Sequence, residues 1–74
     1  MNRQLRPLGD RLRSLRERHY MTQQDVADAM DVSINSYRNY EYGSIVPKAK
    51  ELISLADLYD MTVDDILGIG TEMH

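Results

Sequence analysis

The residues from Thr22 to Gly43 constrain this chain more than any other stretch, because two helix starts lie only eleven residues apart within it. Thr22 with Asp25 forms a Thr-x-x-acid start, in which the hydroxyl and carboxylate satisfy orphan backbone donors and complement the helix dipole. Ser33 can cap a second start. Between them Val26, Ala27 and Met30 recur at helical spacing on one face, and Asp31 interrupts the run. One continuous helix does not fit this pattern. Two short helices joined by a tight turn do.

The second helix sorts its residues. Tyr37, Tyr40 and Glu41 stand at i, i+3 and i+4 and should face inward. Ile34, Asn35, Arg38, Asn39 and Tyr42 fall on the other side. That outer face carries two amides one turn apart, one guanidinium, and an aliphatic side chain with no core to join. Asn can bond bidentately to an adenine edge, and an aliphatic group can meet a thymine methyl. A solvated helix face is the competing reading, and these residues alone leave both open.

Five elements in order carry a resemblance. Leu8-Gly9-Asp10-Arg11-Leu12-Arg13-Ser14-Leu15-Arg16, Thr22-Gln23-Gln24 followed by Val26-Ala27, and Tyr40-Glu41-Tyr42-Gly43 are three of them. Leu55-Ala56-Asp57-Leu58-Tyr59 and Thr62-Val63-Asp64-Asp65-Ile66-Leu67-Gly68 complete the set. The chain resembles the lambda-repressor-like family of Cro/CI or XRE-type helix-turn-helix domains. The resemblance implies an all-α, compact five-helix fold whose helix-turn-helix is formed by helices 2 and 3. It implies a sequence-specific DNA-binding transcriptional regulator, a repressor, that inserts helix 33–42 into the major groove.

The same resemblance distributes the contacts. Asn35 and Asn39 go to base edges, Ile34 to a thymine methyl, Ser33 and Ser36 to phosphate or base, and Arg38 to phosphate or guanine. Gln23, at a helix N-terminus where amides and dipole favour an anion, and Lys48 position the DNA backbone. Arg16 and Glu41 form a structural ion pair tying helix 1 to helix 3. The implied partners are double-stranded DNA and a second copy of the chain, a homodimer on a palindromic site with half-sites ~34 Å apart. The dimer surface is expected at the Ile45–Val46 loop, the start of helix 4 and the helix 4–5 connection near Thr62.

Length and composition narrow the alternatives. At 74 residues the chain is one domain, of a size that buries only ~60% of its unfolded surface. No His–acid–nucleophile set, phosphate loop or metal-ligand spacing is present, so no enzyme, cofactor or metal is expected, and no small-molecule effector is evident. Cysteine is absent, which fits a reducing cytoplasm. No apolar run approaches ~18 residues, and no apolar segment follows Arg3 and Arg6, so neither a membrane span nor a signal peptide is expected. The net charge of −3 is segregated: positions 1–50 carry +3 and positions 51–74 carry −6. This allows a basic working surface beside an acidic, solvating end. The acidic third keeps a rival reading open, a protein-interaction module of the same fold with antitoxin-like partner binding. Salt dependence separates the two, since neutralised phosphates release counterions.

In order, residues 1–7 read as an N-terminal arm, 8–68 as the helix-turn-helix domain and 69–74 as a C-terminal tail. Arg3 and Arg6 either belong to a disordered arm or reach a DNA backbone or minor groove. Pro7 suits the first helical position or the residue before it. Helix 1 should span Leu8 to His19, with Leu8, Leu12, Leu15 and His19 on one stripe. Arg11, Arg13 and Arg18 are expected on a solvated face, and His19 as a half-buried packing residue. Tyr20 stands where the family commonly has a helix-ending Gly; a left-handed Tyr is costly, so a different ending is expected. Asp31 replaces the family's turn Gly and tolerates the left-handed region. Helix 2 should run Gln23–Met30, with Gly43 ending helix 3. Helix 4 should begin at Pro47 or Lys48, a poor cap, and bury Leu52, Leu55, Ala56 and Tyr59 with Ile53 and Leu58. Thr62 with Asp65 starts helix 5, with Val63, Ile66 and Leu67 inward. Met21, Met30 and Met61 fill the core.

Overall fold

The computed structural model describes residues 5–69. Five helices succeed one another: α1 Leu5–Arg18, α2 Gln23–Met30, α3 Ile34–Tyr42, α4 Ala49–Tyr59 and α5 Val63–Leu67. No strand occurs among the described residues, and the all-α, five-helix expectation is borne out.

Each helix stops by one device. Tyr20, Asp31, Gly43, Asp60 and Gly68 have positive φ, and the residue after each donates its N–H five residues back. These bonds, Met21 to Arg16, Val32 to Ala27, Ser44 to Asn39, Met61 to Ala56 and Ile69 to Asp64, measure 2.9–3.1 Å. They satisfy carbonyls that a helix end otherwise leaves open. Met21, Val32 and Met61 then pack half-buried against the core, so these three exits are held by a hydrogen bond and a packed side chain together. This corrects the expectation at Tyr20, which takes φ 56° after all. The cost of a left-handed non-glycine residue, ~1–2 kcal/mol, is outweighed by the bonds and burial around it.

Helix starts are as the caps predict. Thr22 and Thr62 each form a reciprocal capping box with the acid three residues on, and the Ser33 hydroxyl accepts from the Ser36 N–H. Lys48 makes no side-chain capping bond at the start of α4. Helix α1 begins at Leu5, three residues before the expected Leu8. Pro7 lies inside its first turn, where a missing N–H has no intrahelical partner to lose. The readings for the Arg3 and Arg6 side chains, and for the tail beyond Ile69, lie outside the described residues.

The core joins Leu12 and Leu15 of α1, Val26, Ala27 and Met30 of α2, and Tyr37 and Tyr40 of α3. Leu55, Ala56 and Tyr59 of α4 and Ile66 of α5 complete it. Four expectations are corrected. Ile53 is exposed, outside the buried face of α4. Ile34 is half-buried and packs on the core, so it does have a core to join. Arg11 is half-buried, its guanidinium lying where a side chain on Gly68 would stand. His19 is exposed by area, although its ring lies 4.7 Å from that of Tyr59 and its Nδ1 is 2.8 Å from the Leu15 carbonyl.

Gly9 decides how closely α3 approaches α1. A Cβ there would overlap the Glu41 carbonyl and stand 3.0 Å from the Tyr40 carbonyl oxygen. Both obstacles are backbone and cannot rotate away. Gly9→Ala, worth ~1 kcal/mol of added stability in an open helix, is therefore expected to lower stability by ~1–3 kcal/mol through overpacking. Urea unfolding checks this; a variant more stable than wild type would mean that α3 backs away freely.

Candidate nucleic-acid interface

The helix-turn-helix is locked to the rest of the molecule through one carboxylate. Glu41 sits on the inner edge of α3, and its side chain is 5% exposed. Arg16 of α1 donates to it through Nε at 2.7 Å and Nη2 at 3.2 Å. Gln23, in the first turn of α2, donates through Nε2 at 3.2 Å, and the Tyr37 hydroxyl donates from one turn earlier in α3. Arg16 also donates through Nη1 to the Met21 carbonyl at 3.1 Å, which ties down the α1–α2 link.

This donor set determines the charge state. Burial pushes the Glu41 carboxyl upward, but hydrogen bonds from Arg16, Tyr37 and Gln23, with the guanidinium charge, outweigh it and hold the group below the ordinary carboxylate value. The bond to Glu41 raises Arg16 against the opposing effect of burial. Burial first, and then donation to Glu41, carries the Tyr37 phenol far above its ordinary range. At neutral pH the cluster is thus one anion, one cation and two neutral donors.

With its inner edge fastened, α3 presents its other face to solvent. Asn35, Arg38 and Tyr42 are exposed, Ser36 and Asn39 half-buried. The amides of Asn35 and Asn39 form no hydrogen bond among the described residues and remain available to an external partner. Ser33 and Ser36 are partly engaged already: their hydroxyls lie 3.0 Å apart and the Ser33 oxygen caps the helix. Ile34 divides its surface between core and solvent. Lys48 is exposed at the start of α4.

Between α1, the α2 N-terminus and the end of α3 lies an open cleft of about 520 Å³, lined by Asp10, Arg13, Arg16, Gln23, Glu41 and Tyr42. It brings Gln23 together with the end of α3 and leaves Lys48 outside. Sequence reasoning missed the double role of Gln23, whose amide supports the ion pair. It also missed Arg13 and Tyr42 as neighbours across the cleft. Gln23 and Glu41 are eighteen residues apart, and no local pattern links them.

A family model described as a helix-turn-helix domain matches residues 7–67. The chain belongs to the helix-turn-helix domain family. Among curated relatives, it is 42% identical over 59 residues to the uncharacterized HTH-type transcriptional regulator YobD of Bacillus subtilis (strain 168), covering 80% of this chain and 53% of that protein. It is 39% identical to the HTH-type transcriptional regulator AnsR of the same organism, over 80% of this chain and 51% of that one. To the cryptic phage CTXphi transcriptional repressor RstR of Vibrio cholerae serotype O1 (strain ATCC 39315 / El Tor Inaba N16961) it is 32% identical, over 80% and 53%. The chain thus spans about half the length of the curated relatives it matches. No solved structure matches it at a significant level. No helix among the described residues is long and apolar enough to cross a membrane.

The helix-turn-helix lock has a pH signature. A carboxylate whose folded value lies below its ordinary 4.5 stabilises the fold fully above that pH and loses its contribution as pH falls further. Removing one partner of a buried pair leaves the other uncompensated, so Glu41→Gln is expected to cost ~3 kcal/mol at pH 7. Its deficit against wild type should shrink below pH 4.5. A constant deficit down the whole acid range, measured by urea unfolding at each pH, would show that Glu41 is not ionised in the fold.

Proposed function

We propose that this helix-turn-helix domain is the DNA-reading part of a cytoplasmic transcriptional regulator, acting as a repressor, with α3 in the major groove of double-stranded DNA. The observation that carries the reading is the division of α3. Its inner face is buried and hydrogen-bonded to two other helices, while its outer face offers two free amides and a guanidinium. A helix whose rotation is fixed in this way can present Asn35 and Asn39, one turn apart, to neighbouring base pairs from one groove position. Arg38 reaches phosphate or guanine. Ile34 offers its exposed portion to a thymine methyl, and Ser33 and Ser36 add shorter-range contacts beside it. Gln23 and Lys48 meet the sugar–phosphate backbone on either side. The regulator and repressor names of the relatives support this reading over the protein-interaction alternative.

A single small module makes few base contacts, so the protein is proposed to act as a homodimer on a palindromic site. Ile45 and Val46, each nearly half exposed on the loop after α3, supply apolar surface for that contact. Sites selected from a random duplex pool are expected to be paired half-sites about one helical turn apart. Single half-sites occupied by one protomer would sink the dimer.

Each bidentate Asn–adenine contact discriminates by ~1–3 kcal/mol. Asn35→Ala and Asn39→Ala are expected to weaken the selected site by roughly that amount, leaving melting and random-duplex binding nearly unchanged. Tyr37→Ala, which empties a fully buried position, should instead lower the melting temperature. If both asparagine variants hold the selected site as tightly as wild type while Arg38→Ala loses it, α3 is docked by charge and these amides do not read bases.

A further inference from the structure

Helix α4 leaves one large apolar side chain uncovered. Leu55, Ala56 and Tyr59 are buried and Leu52 and Leu58 half-buried, whereas Ile53 is 55% exposed. Ala49, Lys50 and Asp57 are exposed as well and share the face of Ile53, being three or four residues from it. Neither charge is used within the chain. Lys50 and Asp57 form no hydrogen bond or ion pair among the described residues, and ~10.5 Å of helix rise keeps them from pairing with each other. Both also oppose the α4 dipole, the cation in the first turn and the anion in the last. Helix stability does not account for this placement.

The face is complementary to itself. Ile53 lies about midway between Lys50 and Asp57. When a second copy of α4 is laid antiparallel on the first, about a two-fold axis beside Ile53, each Lys50 faces the Asp57 of the other chain and the two isoleucines meet. A parallel alignment would set like charges against each other. A two-fold contact uses the same patch on both copies, and this patch meets that condition in charge and in apolar surface alike. Ala49 adds only a methyl, which permits the ~8–10 Å approach of packed helices. The antiparallel arrangement also carries the loop before α4, with exposed Ile45 and Val46, to the α4–α5 connection of the other copy. One face of an eleven-residue helix covers less than the ~1,200 Å² of a standard interface. Association is therefore weak in free solution and is completed on DNA, where paired half-sites raise the local concentration.

We infer that α4 pairs antiparallel with α4 of a second copy of this chain, with Ile53 at the two-fold axis and Lys50 against Asp57 of the other copy. This rests on the proposed homodimer and gives it an axis and a charge code.

Charge reversal tests the code by sedimentation equilibrium at low salt. Lys50→Glu and Asp57→Lys each set like charges across the contact, so each alone should associate about tenfold more weakly than wild type and bind paired half-sites with less cooperativity. Both should melt at or above the wild-type temperature, because each now complements the α4 dipole. Mixed together they should regain wild-type association as a heterodimer, since an acidic stripe then faces a basic one. The double variant carrying both changes should regain it alone. If the two variants associate as wild type does, alone and mixed, while Val46→Asp abolishes association, the dimer forms through the loop and the α4 pairing is refuted. Asn39→Ala still weakening the selected operator would then leave the DNA reading standing. A wild type that stays monomeric to about 1 mM and fills paired half-sites independently overturns the pairing and the homodimer together.

Discussion

The arrangement of the first three helices depends on keeping one buried carboxylate charged. An ion in a protein interior loses several kcal/mol of hydration, and only close, well-aligned partners return it. Glu41 has Arg16 on α1, Gln23 on α2 and Tyr37 on its own helix. Each donor comes from a different direction, so the position of all three helices is determined together. Gly9 allows this from below: with no Cβ in the way, the α3 backbone comes close enough to α1 for the guanidinium to reach the carboxylate. An apolar core of the same volume would hold the helices together but would leave α3 freer to rotate about its axis. The charge cluster stabilises little in net terms and specifies orientation, and orientation is what a reading helix needs.

What could be seen in the sequence was local. Capping boxes at Thr22 and Thr62, the Ser33 cap, the Asp31 break and the Gly43 stop each involve residues within five positions of one another, and all appear in the structure. The inner face of α3 was legible because its spacing is helical. The Arg16–Glu41 pair was reachable only through family resemblance, because its partners lie twenty-five residues apart. Gln23 joining that pair, Arg11 tucked against Gly68, and the half-burial of Ile34 all depend on how helices cross. Periodicity within one helix does not report on crossings. Ile53 shows the same limit in reverse, being apolar at helical spacing on α4 and still exposed, because no neighbouring helix covers that side.

Tyr20 departs from its expectation for a different reason. For an isolated residue a left-handed tyrosine costs ~1–2 kcal/mol. But the exit from α1 is decided by several groups at once: the Met21 N–H bonding to Arg16, the Met21 carbonyl receiving the Arg16 guanidinium, and the Met21 side chain packing on the core. Each of these is worth about as much as the strain. The backbone therefore keeps the turn that glycine would favour and carries tyrosine through it.

The charge asymmetry of the chain complements this geometry. The basic excess of the N-terminal portion belongs to α1, with five arginines against Asp10 and Glu17, while Glu51, Asp57, Asp60, Asp64 and Asp65 all lie on α4, α5 or their connection. An acidic excess there does not weaken a phosphate contact at α2 by direct pairing, since screening limits exposed charges to about a Debye length, ~8–10 Å. It acts on approach. A domain +3 over one portion and −6 over the other is an electric dipole, and a polyanion turns it so that the α1 side leads. Under the proposed DNA-reading function, net repulsion lowers the random-duplex background while the oriented face keeps its contacts. The discrimination proposed for Asn35 and Asn39 is then measured against that lowered background, so a net negative charge is compatible with reading a sequence.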